Sequence, residues 1–183
     1  AFIIAGMGFV DDIVNLRPII KLVLQIFAAF VCVRFGLVID AVTWPVTQTY
    51  MELGWFGAPL TILWIVLCTN AFNLIDGLDG LSVGVCSISC LSMAVIALSL
   101  GQSTEAVLLS TLLGACLGFL PYNLNPAKIF MGDTGATFLG FVLACMSVSG
   151  LFKLYAVMSF AIPILVLGVP IFDITFAFLR RIW

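Results

Sequence analysis

The chain has 183 residues, 63% of them hydrophobic and 9% charged, with a formal net charge of −2. A soluble domain carries about 25% charged residues, so this chain cannot cover an ordinary water-facing surface. Disorder, a disulfide-stapled secreted module and a nucleic-acid binder are excluded on composition, and lipid is the remaining solvent.

The predicted elements are those of an all-α, polytopic membrane helix bundle. A span needs about 20 apolar residues. Residues 1–10 read as the last turns of an earlier helix, and six spans follow at residues 19–38, 58–74, 81–100, 106–122, 137–151 and 156–178. These runs lack the in/out alternation of a barrel wall and carry scattered Gly and Ser, as packed membrane helices do. The connections fall alternately on two sides. One side holds residues 11–18, 75–80, 123–135 and 179–183, the other residues 39–57, 101–105 and 152–155. Arg17, Lys21, Lys128, Arg180 and Arg181 lie on the first side, against Lys153 and Arg34 on the second. The positive-inside rule makes the first side cytoplasmic. Residues 39–57, rich in Thr, Val, Trp and Tyr, suit a short hairpin or an interfacial aromatic belt. The chain opens on Ala1 inside an apolar run and stops at Trp183, just after Arg180-Arg181, so residues 1–183 are expected to be one integral membrane domain truncated at both ends.

The chain has no histidine. A histidine base, a histidine metal ligand and a Ser-His-Asp triad are therefore excluded within it. The six cysteines (Cys32, Cys68, Cys86, Cys90, Cys116 and Cys145) sit inside apolar stretches with no CxxC pair, and read as small packing residues.

Six of the nine acidic residues (Asp11, Asp12, Asp76, Asp79, Asp133 and Asp173) fall on the cytoplasmic side. Ionisable groups at or inside a membrane are costly, so their default reading is functional. Lys128, Arg17 and Lys21 are the nearby cations for the first five, too few to pair every carboxylate, so the arrangement suits a divalent cation or a cationic cluster. Three polar blocks hold five of them. The first carries the adjacent pair Asp11-Asp12, which repel each other unless a cation faces them. In the second, Asn70, Asn73 and Asp76 are spaced by three and share a helix face, followed by Gly77, Asp79 and Gly80. The third, residues 123–135, supplies Lys128, the exposed aromatic Phe130, Asp133 and two glycines just before a helix, whose N-terminal N–H groups favour an anion such as a phosphate. The P-loop pattern is absent.

Residues 6–21, 70–84 and 121–140, in this order and spacing, resemble the polyprenyl-phosphate N-acetylhexosamine-1-phosphate transferases of glycosyltransferase family 4. The resemblance spans essentially the whole chain. It implies transfer of a sugar 1-phosphate, GlcNAc 1-phosphate on this pattern, from a UDP-N-acetylhexosamine to undecaprenyl phosphate, at the cytoplasmic face of the plasma membrane. Mg²⁺ is the implied cofactor, with Mn²⁺ as a substitute. Asp133 resembles the metal ligand, and Asp11 and Asp12 the carboxylates flanking the acceptor phosphate. Asp76 and Lys128 complete the catalytic set, with the Lys128 ammonium neutralising the diphosphate or pairing with an active-site carboxylate. Phe130 stands where the family stacks uracil, Asp79 where a carboxylate accepts from the uracil N3–H, and Asn70, Asn73 and Asn125 line the pocket. The third block looks more like the branch that initiates teichoic acid, O-antigen or related polymers than the phospho-N-acetylmuramoyl-pentapeptide branch, which is kept as the alternative. A homodimer is left open. Two departures stand out: the family's His-rich cytoplasmic motif is absent, and Asn15 stands where many relatives have a third acidic residue.

Other classes fit less well. A secondary transporter would place its carboxylates near the bilayer midplane, not on one face. The CDP-alcohol phosphotransferase pattern fails, since Ser82 follows Gly80-Leu81 and no Arg is near. Residues 11–15 poorly match the Asp-rich motif of an aromatic prenyltransferase, and a purely structural subunit leaves the carboxylates unexplained.

Overall fold

The computed structural model describes residues 1–43, 50–151 and 180. Six α-helices dominate: α1 (Phe2–Val14), α2 (Pro18–Arg34), α3 (Gly57–Ile75), α4 (Leu81–Ser99), α5 (Ser103–Asn123) and α6 (Gly132–Met146). A single 3-10 turn, Gly54–Phe56, leads into α3, and α6 runs on into a π-helical turn, Ser147–Leu151. The expected hairpin between α2 and α3 is present. Strands β1 (Ala41–Thr43) and β2 (Tyr50–Glu52) pair antiparallel, with Ala41 opposite Glu52 and Thr43 opposite Tyr50. The predicted span at 156–178 lies outside the described residues, as does Asp173.

Among the described residues, four segments are long and apolar enough to cross a membrane: Gly54–Ile75, Leu81–Ser99, Ser103–Asn123 and Gly132–Ser149. The 17 residues of α2 stand at the short end of the roughly 17–25 that span a bilayer. Large apolar side chains such as Phe27 and Phe30 of α2, Leu63 of α3, Ile88 of α4 and Leu117 of α5 face outward. A surface of that kind needs lipid, and the chain is a polytopic membrane protein.

Helix ends differ from the expected spans for local reasons. Residues 19–38 were expected as one span, but α2 stops at Arg34 because Gly36 takes a left-handed φ of +88°. The Leu37 N–H then bonds the Cys32 carbonyl at 3.1 Å and the Gly36 N–H the Val33 carbonyl at 3.0 Å, a Schellman stop. At the other end, Pro18 opens the helix at its first position, where the missing N–H costs nothing. The first helix also does not finish at residue 10. It continues through Asp11 and Asp12 to Val14, and Asn15 closes it with φ +52°.

Helix α6 packs against α1 and α3, α3 against α2, and α4 against α5. Close approach of α3 and α6 depends on Gly140, where a Cβ would lie 2.8 Å from both the Cys68 carbonyl oxygen and Phe72 Cβ. Phe72, Ile65, Cys68 and Leu143 fill the adjoining core, all fully buried. Buried hydroxyls inside these apolar helices bond backward to their own turn: Thr61 to Gly57, Thr69 to Ile65 and Ser87 to Val83. All six cysteines are free, and Cys68, Cys86, Cys90 and Cys116 are buried, consistent with packing. The packing of α1, α2 and α3 around the start of α6 gathers the polar residues at one end of the bundle.

Candidate active site

The geometry of that end starts from an electrostatic problem. Asp11 and Asp12 occupy the last turn of α1, where the helix macrodipole disfavours negative charge. Each is compensated by another element. Asp11 is 3% exposed. Its Oδ1 accepts the Leu16 N–H at 2.7 Å, and its Oδ2 is ion-paired with the Lys21 ammonium. Asp12 reaches the N-terminus of α6. Its Oδ1 accepts the Asp133 N–H at 2.8 Å, and its Oδ2 accepts the Thr134 N–H at 3.1 Å and the Thr134 hydroxyl at 2.5 Å.

Two glycines permit this contact. A Cβ at Gly8 would lie 2.5 Å from Thr134 Cα, and Gly132, at φ +66°, leaves the space that a Cβ would share with the Asp12 carboxylate at 2.8 Å. This corrects one expectation. The α6 N-terminus, read from the sequence as free for a phosphate, is already capped by a carboxylate of this chain. It also explains why α6 begins at Gly132 instead of residue 137: the cap comes from α1.

Asp133, in the first turn of α6, is held by two helices at once. The Lys21 ammonium of α2 donates to its Oδ2 at 2.7 Å, and the Asn73 amide of α3 donates to its Oδ1 at 2.8 Å. Lys21 thereby bridges Asp11 and Asp133. One turn deeper, Asn70 donates to the Gln25 Oε1 at 2.6 Å and to the Val66 carbonyl at 2.8 Å, and Gln25 returns a bond to Asn70 Oδ1 at 3.4 Å. Asp76 follows Asn73 by three positions, immediately after the C-terminus of α3. Burial pushes its carboxyl up to about 6, and the charges of Asp133 and then Asp12 add to the rise.

The donor chemistry fits a hard divalent cation, for it is carboxylate oxygen throughout. No group of three or more such ligands is pre-assembled among the described residues. That suits Mg²⁺, which is usually held by one or two carboxylates while waters and substrate phosphates complete its shell. Asp133 and the half-buried Asp76 would supply those carboxylates here.

A second cluster joins the loops after α3 and α5. Asp79 Oδ2 accepts the Ala127 N–H at 3.0 Å and the Asn125 amide at 3.3 Å. Asn123 is buried; its Oδ1 accepts the Gly80 N–H at 3.1 Å, and its Nδ2 donates to the Ile129 carbonyl at 3.0 Å. These bonds hold the 124–131 loop over the start of α4. Phe130, at its end, is 75% exposed. It borders an apolar hollow of about 330 Å³ that runs down to Phe119 and Cys116 of α5 and includes Thr134 of α6. Thr134 borders both this hollow and, through its bonds to Asp12, the carboxylate cluster.

The structure brings together Asp11, Asp12, Asp133, Asn73 and Asp76, and joins Asp79 to Asn125 in the neighbouring loop cluster. Lys128 is not brought to the carboxylates. Its side chain is exposed and makes no ion pair with any described residue, and only its backbone N–H is tied, to the Tyr122 carbonyl at 2.8 Å. The cation among the carboxylates is Lys21. Sequence reasoning named Lys21 among three cations near the carboxylates but gave the site role to Lys128, and it assigned no role to Thr134, Gln25 or Asn123. A signal for two of them exists: Lys21 and Gln25 are spaced by four, so they share one face of an otherwise apolar α2.

Comparison with known proteins bears on what this cluster does. Residues 1–151 match the model of glycosyl transferase family 4. The chain is 48% identical over its whole length to a Bacillus subtilis (strain 168) protein named probable undecaprenyl-phosphate N-acetylglucosaminyl 1-phosphate transferase, of which it covers 51%. It is 36% identical over 79% of its length to a Moorella thermoacetica phospho-N-acetylmuramoyl-pentapeptide-transferase, covering 49% of that protein. It is 34% identical over 98% of its length to a Mycobacterium leprae decaprenyl-phosphate N-acetylglucosaminephosphotransferase, covering 50% of it. The chain spans about half the length of the curated relatives it matches. With the family's three polar blocks gathered at one end of a membrane bundle, the chain belongs to glycosyl transferase family 4.

Proposed function

We propose that the protein containing this chain transfers N-acetylglucosamine 1-phosphate from its UDP-sugar to undecaprenyl phosphate, at the cytoplasmic face of the plasma membrane. A phosphate oxygen of the acceptor attacks the sugar-bearing phosphorus. The new P–O bond makes a lipid-linked diphosphate, the old bridging P–O bond breaks, and UMP leaves with its electron pair. Such a product initiates a cell-envelope polysaccharide.

The observation that carries this reading is the double hold on Asp133 by Lys21 and Asn73, beside Asp11, Asp12 and Asp76. Phosphoryl transfer asks mainly for positioning and for neutralised charge. A carboxylate fixed by donors from two helices is ready to hold a cation without reorganising. Mg²⁺, when bound through Asp133 and Asp76, would neutralise the diphosphate oxygens. Lys21 keeps the neighbouring Asp11 charge balanced. Asp12 holds the first turn of α6 in place. Phe130 offers the uracil an exposed ring, with Asp79 and Asn125 beside it in the loop cluster. The concentration of Lys and Arg at this end supports the cytoplasmic orientation.

The test uses the full-length protein in detergent with undecaprenyl phosphate. UMP release and a lipid-linked diphosphate sugar are expected with UDP-N-acetylglucosamine and Mg²⁺, and their loss with a chelator. Turnover with the UDP-N-acetylmuramoyl-pentapeptide donor alone would move the protein to the other branch, which the Moorella relative represents. No UMP release with either donor would overturn the reading.

A further inference from the structure

We infer that Gln25 is a positioning residue: its pairing with Asn70 sets the register of α2 against α3, and so aims Lys21 and Asn73 at the same carboxylate. The functional consequence rests on the role proposed above for Asp133, while the positional claim stands on geometry alone.

Gln25 is 2% exposed on a helix that is otherwise apolar along this stretch. A primary amide in such surroundings is costly unless both its donor and acceptor are used. Asn70 uses both, at 2.6 and 3.4 Å, and spends its remaining donor on the Val66 carbonyl of its own helix at 2.8 Å. Sliding α2 by one residue against α3 would leave the buried Gln25 amide unpaired and the half-buried Asn70 with only its Val66 bond, so this pair selects one register. Buried polar pairs fix register in this way in other helical assemblies.

The register has a target. Lys21 stands four residues before Gln25 and Asn73 three after Asn70, so each lies one turn nearer the carboxylates on the face that carries the amide pair. From there Lys21 meets Asp133 Oδ2 at 2.7 Å and Asn73 meets Oδ1 at 2.8 Å. Asn70, expected from the sequence to line the substrate pocket, acts in this inference through α2 and not through substrate.

The experiment reads Lys21 directly in the full-length protein. A water-soluble amine-acylating reagent is applied in detergent at pH 8 and modification is followed by peptide mass spectrometry, with the exposed Lys128 as internal reference. In the wild type Lys21 should react at least ten times more slowly than Lys128. Gln25→Leu and Asn70→Leu should each raise the Lys21 rate at least fivefold and leave Lys128 unchanged. The swapped pair, Gln25→Asn with Asn70→Gln, remakes an amide pair of the same total length. It should restore both Lys21 protection and sugar-phosphate transfer. If the single variants fail to fold, the swapped protein still decides: a folded swap with Lys21 fully reactive overturns the inference. Unchanged Lys21 protection in folded single variants overturns it too. A swap that protects Lys21 without restoring transfer shows that Asn70 touches substrate, which also overturns it. Wild-type protein that protects Lys21 yet transfers no sugar phosphate faults the transferase reading and leaves the positional claim intact.

Discussion

The two halves of the site are built on different principles. Between α1, α2, α3 and α6, charged and amide groups from four helices bind one another: Lys21 with Asp11 and Asp133, Asn73 with Asp133, Asp12 with the start of α6. Over the loops after α3 and α5, internal bonds shape the backbone instead, and the side chains expected to meet the donor stay outside. Phe130 and Lys128 face solvent there, and Asn125 is exposed even while it bonds Asp79. Helices fix the groups that must not move when charge develops. Loops present the groups that need only offer a surface to a soluble nucleotide. The contrast predicts that damage to the first half will appear in kcat and damage to the second in KM.

The largest effect should come from Asp133. Asp133→Asn removes the charge that faces Lys21 and the proposed cation. Loss of one preorganised electrostatic group costs about 10²–10³ in kcat, and here the metal is expected to go with it. Transfer should fall by at least that factor while the purified protein keeps its thermal transition. Full Mg²⁺-dependent turnover in this variant would erase the division between the halves.

Asp12 comes next. Its two oxygens satisfy two N–H groups and one hydroxyl at the start of α6, so Asp12→Ala removes a cap supplied by another helix. Loss of a cap costs about 0.5–2 kcal/mol, and misplacing a reacting group by about 1 Å costs on the order of 10²-fold in rate. A lower melting temperature and a similar loss of kcat are expected, with KM for the UDP-sugar unchanged. Asp12→Asn keeps one acceptor and should lie between wild type and Asp12→Ala in both measurements. If Asp12 served only as a base, Asp12→Asn would lose all transfer at an unchanged melting temperature.

These residues show how far the sequence carries. Asp11, Asp12, Asn73, Asp76 and Asp133 were legible because an ionisable or amide group closing an apolar helix is costly and asks for a reason. The spans expected at 58–74, 81–100, 106–122 and 137–151 were legible from apolar length, and the hairpin from its β-branched and aromatic residues. The capping of α6 was not legible, because its cap lies 121 positions away in α1. The lysine that pairs with these carboxylates was hidden for a related reason. Lys128 is five residues from Asp133 along the chain, whereas Lys21 is 112 away and touches it. Gln25 was invisible until its partner was known, for one glutamine in a membrane helix does not announce whether it binds solvent, substrate or another helix.

The pH response should sharpen the contrast from the side of Asp76. Its folded carboxyl, pushed from 3.8 to about 6, binds more protons than the unfolded chain between those values. Raising the pH through that window therefore weakens folding. The same ionisation creates the carboxylate that a divalent cation needs. Apparent Mg²⁺ affinity should rise by up to about tenfold per pH unit below that value and level off above it. The acceptor phosphate also titrates near 6, so Asp76→Asn is the required comparison. It should flatten the part of the profile that belongs to the protein. A Mg²⁺ half-saturation that changes equally in both proteins would remove Asp76 from the cation site.

On the loop side, Phe130→Ala tests the expected stacking. Base–aromatic stacking is worth about 1–3 kcal/mol per base, so KM for the UDP-sugar should rise by about tenfold while kcat changes little. A fall in kcat at constant KM would mean that Phe130 belongs with the helices after all, acting through Thr134 at the other edge of the hollow.

The smallest effect is expected at Lys128, and here the structure changes the role. The sequence reading gives the lysine a direct part, neutralising the diphosphate or pairing with an active-site carboxylate. The fold puts Lys21 among the carboxylates and leaves the Lys128 side chain in solvent, on a backbone tied to Tyr122. An exposed ammonium acts through water, and its field is screened within about 10 Å at 0.1 M salt. It can still draw an anionic nucleotide toward the loop. Lys128→Gln should raise KM for the UDP-sugar by about two- to fivefold at low ionic strength, and the difference from wild type should shrink as salt is added. Lys128→Arg should stay near wild type, because attraction at this distance needs charge more than shape. A tenfold or greater loss of kcat in Lys128→Gln, insensitive to salt, would bring the ammonium onto the reacting phosphates and make the loop part of the rigid half.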